Sequence, residues 1–145
     1  MGTRYFALIV GIVYLLVGLM GLLGIGLAMP MAGDPQMAVS AQYGRLLGLF
    51  PVNVLHNIVH LAIGLWGIVS YRTFGASRVF ARGLAILYAL LTIMGLIPGL
   101  NTTFGLIPIF GNDVWLHALT AIVAAYFGWV AAPERAEFVD ASRRH

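Results

Sequence analysis

Apolar residues run in four long stretches along this chain, about 5–28, 52–71, 79–97 and 114–132. Each approaches the roughly 20 residues that a helix needs to cross a hydrocarbon core. The first is unbroken from Tyr5 to Ala28. It is too long for the apolar part of a signal peptide, and no clean small-x-small cleavage site follows at Met29-Pro30, so it reads as a retained span. The second is interrupted only by Asn53, His56, Asn57 and His60. The third has Arg82 near its start, where a long side chain can snorkel to the interface. Helices are the required form, because lipid offers no partner to an unpaired backbone group. The alternating ten-residue strands of a membrane barrel are not visible. The pattern predicts an all-α fold: an integral membrane four-helix bundle in a single domain over residues 1–145, with 133–145 as a polar cytoplasmic tail.

Two stretches open on a shared phrase, Gly48-Leu49-Phe50-Pro51-Val52 and Gly105-Leu106-Ile107-Pro108-Ile109. Counting onward without gaps sets His56 opposite Asp113 and His60 opposite His117. The preceding stretches also match, Tyr14 through Met20-Gly21-Leu22 against Tyr88 through Met94-Gly95-Leu96. An internal repeat of two helical hairpins is therefore predicted, with halves about 5–71 and 79–132 in parallel topology. Asn53 and Asp113 are candidate N-caps for the second and fourth spans. Small residues mark faces for close helix contact: Gly11, Gly18 and Gly21, then Gly64 and Gly67, then Ala81, Ala85 and Ala89, then Ala121, Ala124 and Gly128.

Charge adds orientation. Only 9% of residues are charged against 61% hydrophobic, far from the roughly 25% charged of a soluble domain. The net charge of +3 comes from Arg alone among the bases. Arg4, Arg72, Arg78, Arg82, Arg135, Arg143 and Arg144 fall at the termini and the middle loop. The positive-inside rule then places both termini and the middle loop in the cytoplasm. Such an excess reports topology and anionic lipid, so the expected partner is the bilayer and not nucleic acid. With no cysteine, thiolate metal sites and cysteine nucleophiles are excluded.

The candidate chemistry is a small polar set, Asn53, His56, His60, Asp113 and His117. His56 and His60, like Asp113 and His117, are spaced by four and share a helix face. The second and fourth spans run in the same direction, so His56 and His117 are expected at similar depth, and His60 and His117 are expected to face each other. Ionisable groups inside spans are costly and mark functional candidates. Imidazoles with a carboxylate suit a metal ion such as zinc or iron, and a single His can ligate haem or chlorophyll. The same groups can relay protons, or bond across helices and simply hold a bundle together. No HExxH and no Ser-His-Asp order is present, which gives hydrolysis no support.

The phrases Leu47-Gly-Leu-Phe-Pro-Val-Asn53-x-x-His56-x-x-x-His60-x-x-x-Gly64 and Gly105-Leu-Ile-Pro108-x-x-x-x-Asp113-x-x-Leu116-His117 resemble those of the domain-of-unknown-function 4383 family, small four-span bacterial membrane proteins. The resemblance covers about Thr3 to Ala132 and implies signature roles for Asn53, His56, His60, Asp113 and His117 without implying an activity. The stretch from Ala81 to Asn101 is similar to cyanobacterial members, and the resemblance implies a bacterial inner membrane or a thylakoid membrane. The expectation is a non-enzymatic accessory subunit of a larger membrane complex. The alternatives are a metal- or tetrapyrrole-binding protein and a small transporter or proton conductor.

Overall fold

A computed structural model describes residues 2–131. The polar tail predicted at 133–145, with Arg135, Arg143 and Arg144, lies outside the described residues. Four helices carry the fold: α1 (Gly2–Leu22), α2 (Val54–Ser70), α3 (Phe74–Leu96) and α4 (Asn112–Ala125). A π-helical turn, Tyr126–Val130, extends α4. Three helical segments are long and apolar enough to cross a membrane: Gly2–Leu22, Phe74–Leu96 and Asn112–Val130.

The first apolar stretch is cut six residues short of Ala28. Gly24 and Gly26 both take φ of 70°. That left-handed turn lets the Ile25 N–H donate to the Met20 carbonyl at 2.9 Å, closing the helix end in a Schellman arrangement. The chain then enters a three-stranded antiparallel sheet, β1 (Leu27–Ala28), β2 (Gly44–Leu46) and β3 (Phe50–Val52), in the order β1-β2-β3. The all-α expectation did not include this sheet, since strands of two or three residues are too short to show alternation. Pro51 lies opposite Arg45 in β3, an edge strand where a missing N–H is tolerated.

α1 and α2 pack backbone to backbone. A Cβ on Gly11 would lie 2.8 Å from the Gly64 carbonyl oxygen, and one on Gly64 would lie 2.7 Å from the Leu15 nitrogen. A Cβ on Gly67 would reach 2.8 Å from the Ala7 carbonyl oxygen. In lipid, where burial of apolar surface drives nothing, this close van der Waals approach is what joins helices. α3 and α4 use alanines instead, with Ala81 and Ala124 fully buried beside Phe80 and Leu84. Phe6 against Phe80 and Tyr14 against Tyr88, at 6.4 and 5.9 Å between ring centroids, join α1 to α3.

Opposite ends of the helices differ in charge. At one end Arg4 donates to the Tyr71 carbonyl, and Arg78 and Arg82 both donate to the Gly128 carbonyl at 2.9 and 2.8 Å. The π-helical turn departs from the regular α-helical pairing there, so one oxygen can take two guanidinium donors. At the other end Arg45 holds Asp34 through two bonds, of 3.0 and 2.6 Å. The guanidinium beside Asp34 holds its carboxyl below the usual range.

Two outcomes follow. Gly64→Ala is expected to destabilise by about 1–3 kcal/mol through overpacking, whereas Gly75→Ala, with nothing within 4 Å of the added carbon, is neutral or slightly stabilising. Denaturant titration of both variants in one detergent checks this. Asp34→Asn is expected to cost about 1 kcal/mol near neutral pH, the scale of a paired surface carboxylate. Because the folded-state pKa of Asp34 is lowered, that contribution is present above the unfolded value of about 4 and is lost as pH falls through the folded value. Wild type and variant should therefore converge in stability in strong acid.

Candidate functional site

Asn53 organises the site. Its backbone is extended, and its side-chain oxygen accepts from the His56 N–H at 3.0 Å, so it caps α2 as predicted. Its amide nitrogen donates to the Val39 carbonyl at 3.0 Å and to the Leu106 carbonyl at 2.7 Å. One fully buried side chain thus ties the loop between β1 and β2, the loop before α4 and the start of α2 together. Asn112 makes the opposite reach, donating to the Leu49 carbonyl at 3.3 Å. Leu49 and Leu106 occupy the same place in the two Gly-Leu-x-Pro phrases. The phrases share backbone form: Leu47-Gly48 and Phe104-Gly105 all take positive φ, between 55° and 85°.

Asp113 does not cap α4. The N-cap is Gly111, whose φ of 65° turns the chain into the helix without a side-chain bond. Asp113 falls in the first turn and faces inward, 3% exposed. There its Oδ2 lies 3.9 Å from His56 Nδ1, beyond hydrogen-bond length. His117 completes the group: single ligand atoms of His56, Asp113 and His117 all lie within 4.8 Å of one another. All three residues are buried. His56 Nδ1, His117 Nδ1 and Asp113 Oδ2 have no hydrogen-bond partner among the described residues.

Each outer imidazole has an aromatic wall. Tyr14 meets His60 edge-on at 5.2 Å and 81°, and Tyr88 meets His117 at 4.9 Å and 77°. His60 also packs against His56, 4.4 Å between centroids. The ring that approaches His117 across the helices is that of His56, at 6.5 Å. His56 and His117, expected at similar depth, are thus in ring contact across α2 and α4. His60 shares a different feature with His117: both border a cavity of about 360 Å³ between α1 and α4, beneath β2 and β3. Asn57 leaves the cluster and faces the α1 seam, where any side chain at Gly21 would collide with it.

Sequence reasoning missed the aromatic and hydroxyl residues of the site. Tyr14 and Tyr88 stood out only as members of the repeated stretch, and Thr120, which also lines the cavity, gave no signal at all. An aromatic residue on an apolar helix resembles every other core residue until the fold shows its neighbour.

Asn53→Ala is expected to cost about 2–3 kcal/mol, combining a lost cap with the loss of two hydrogen bonds to part-buried carbonyls. Asn53→Asp retains the cap acceptor but turns a carboxylate oxygen toward both carbonyls, so it should rescue little. Thermal unfolding of the two variants in detergent distinguishes them from the mild loss that a simple surface cap would give.

Searches of curated proteins and of solved structures find no match to this chain. A family model does match, the domain of unknown function 4383, over residues 4–130. That range contains all four helices after the first two residues, both repeated phrases, and every residue of the buried cluster. The chain belongs to the domain-of-unknown-function 4383 family.

Proposed function

We propose that this protein is a small membrane protein that binds a divalent transition-metal ion between His56, Asp113 and His117. The observation that carries the reading is the convergence of three buried donors within 4.8 Å, with their facing atoms unpartnered. A cluster serving only to hold helices together would close these atoms into hydrogen bonds, since a buried polar group without one is costly. Here the His56–Asp113 separation of 3.9 Å is too long for such a bond and suits two ligands on one ion. Two imidazoles and a carboxylate form the donor set of zinc and of non-haem iron(II) sites. Convergence on one point also favours an ion over haem or chlorophyll, which needs a flat slot beside a single axial donor. The role proposed is binding without catalysis, and it is one that an accessory subunit of a larger membrane complex can perform.

Metal analysis of protein purified without an affinity metal resin tests the reading. About one zinc or iron per chain is expected, lost on His117→Ala and on Asp113→Ala. Added metal should raise the Tm of metal-stripped wild type and leave both variants unmoved. Absence of stoichiometric metal, together with an unchanged Tm, would overturn it.

We further propose that all four helices cross the membrane as two hairpins related by an axis along the membrane normal. α2 has 17 residues and a length of about 26 Å. It lies antiparallel along α1, in contact from Gly18 near one end to Ala7 near the other. A helix packed along most of a spanning neighbour spans with it. The matched Tyr14–His60 and Tyr88–His117 contacts support the repeat. The end bearing Arg4, Arg78 and Arg82 is assigned to the cytoplasm. The chain has no cysteine, so single introduced thiols report cleanly. Ser40→Cys should react with an impermeant reagent from outside and Gly75→Cys only after the membrane is opened. The reverse pattern would invert the assignment.

A further inference from the structure

The two hairpins meet through α1 against α3, flanked by two equivalent seams, α2 with α3 on one side and α1 with α4 and its π-helical turn on the other. Equivalent positions fill them differently. On the first seam the Trp66 indole packs edge-on against Phe80, 5.0 Å between centroids, and lies over Gly83, whose missing side chain makes room for it. Counting by the repeated phrases, Trp66 corresponds to Val123, Phe80 to Phe6, and Gly83 to Ile9. On the second seam no indole is present. Phe6 instead stacks on Phe127 at 4.6 Å, which closes the end of the seam near the arginines. The result is the cavity of about 360 Å³, a volume within the range of small-molecule sites.

The cavity is graded along its length. Its side walls include Ile9, Val13, Leu119 and Val123, and β2 and β3 roof it with Leu46 and Phe50. Ile9 and Leu119 are 59% and 60% exposed, so the mouth opens sideways, toward the acyl region of a surrounding bilayer. At the roofed end stand His60, Asp113 and His117. Each of the three keeps a buried polar atom without a hydrogen-bond partner among the described residues.

We propose that this cleft binds one single-chain amphiphile drawn from the bilayer, its chain between α1 and α4 and a hydroxyl-bearing head against His60 and His117. An apolar slot alone would take any lipid tail. The imidazoles of His60 and His117 line its closed end and select for a head that both donates and accepts a hydrogen bond, and a hydroxyl does so without a charge to desolvate. The lateral mouth explains access: the ligand never leaves the membrane. His60 is outside the three-donor metal set, so the site stands whether or not a metal is bound beside it.

The test uses the full chain in nanodiscs, stripped with a chelator so that the metal reading cannot affect the outcome. The probe is a long-chain primary alcohol with a photoreactive diazirine in mid-chain, compared with the alkane of equal length. The expected result is labelling of peptides containing residues 9–17 and 116–123 by the alcohol, displaced saturably by unlabelled alcohol. The double variant Ile9→Gly with Val123→Trp rebuilds the closed seam in the open one and should abolish that labelling. His60→Phe should remove the preference for alcohol over alkane while leaving the Tm of the stripped protein within a few degrees of wild type. Equal, non-saturable labelling by alcohol and alkane in wild type would overturn the proposal, and that arm requires no variant to fold. Undiminished labelling of a folded double variant would overturn it as well.

Discussion

The Asn53 amide is the group on which the sheet-bearing end of this protein depends. Three backbone segments far apart in sequence, at Val39, His56 and Leu106, meet on its two polar atoms. Each contact satisfies a backbone group that burial would otherwise leave unpaired, and in the interior of a membrane protein such groups have no water to turn to. The amide suits this place because it accepts on one atom and donates twice on the other. Its neighbours inherit the result. The bond to the His56 N–H fixes the first turn of α2 and therefore the direction of the His56 ring. The bond to Leu106 fixes the second Gly-Leu-x-Pro phrase, from which Asp113 enters.

From that junction the cluster follows. His56 rises from α2, Asp113 and His117 from α4, and Tyr14 and Tyr88 back the outer imidazoles from α1 and α3. All four helices thus contribute to one small volume near one end of the bundle. The helix seams make this convergence rigid. Where Gly11, Gly64 and Gly67 let backbones touch, no side-chain rotamer can absorb a shift, so displacement of one helix must displace its partner. The donors are held open by the frame instead of being drawn together into hydrogen bonds, which is the condition a ligand site requires.

Likeness and difference between the two Gly-Leu-x-Pro phrases and the helices beside them divide the work. Like positions build the frame: the positive-φ pairs before the prolines, the reciprocal amides of Asn53 and Asn112, and the two tyrosine–histidine contacts. Unlike positions build the chemistry. A histidine faces an aspartate at one matched pair, giving donors of two kinds. A tryptophan matches a valine at another, closing one seam and leaving the other open.

Much of this was legible in the residues. Apolar runs of about 20 residues can be little other than helices in lipid, so α1, α3 and α4 followed from length and composition. The gapless match of the two phrases set His56 opposite Asp113, and the structure brings that pair to 3.9 Å. The capping role of Asn53 was readable because caps are local, decided within three residues. Features that depend on how distant segments pack were not. The end of α1 at Leu22, not Ala28, rests on Gly24 and Gly26 adopting a turn that feeds a sheet closed only by residues 44–52. Asp113 had the sequence of a cap and the fold made it a core group, because Gly111 supplied the turn and His56 supplied the neighbour. Helical spacing gives the face on which His60 and His117 stand, but not the rotation of α2 against α4, and that rotation chose His56 as the partner of His117. Which seam opens was decided by whether an indole finds a glycine across from it, a fact of packing that no single helix contains.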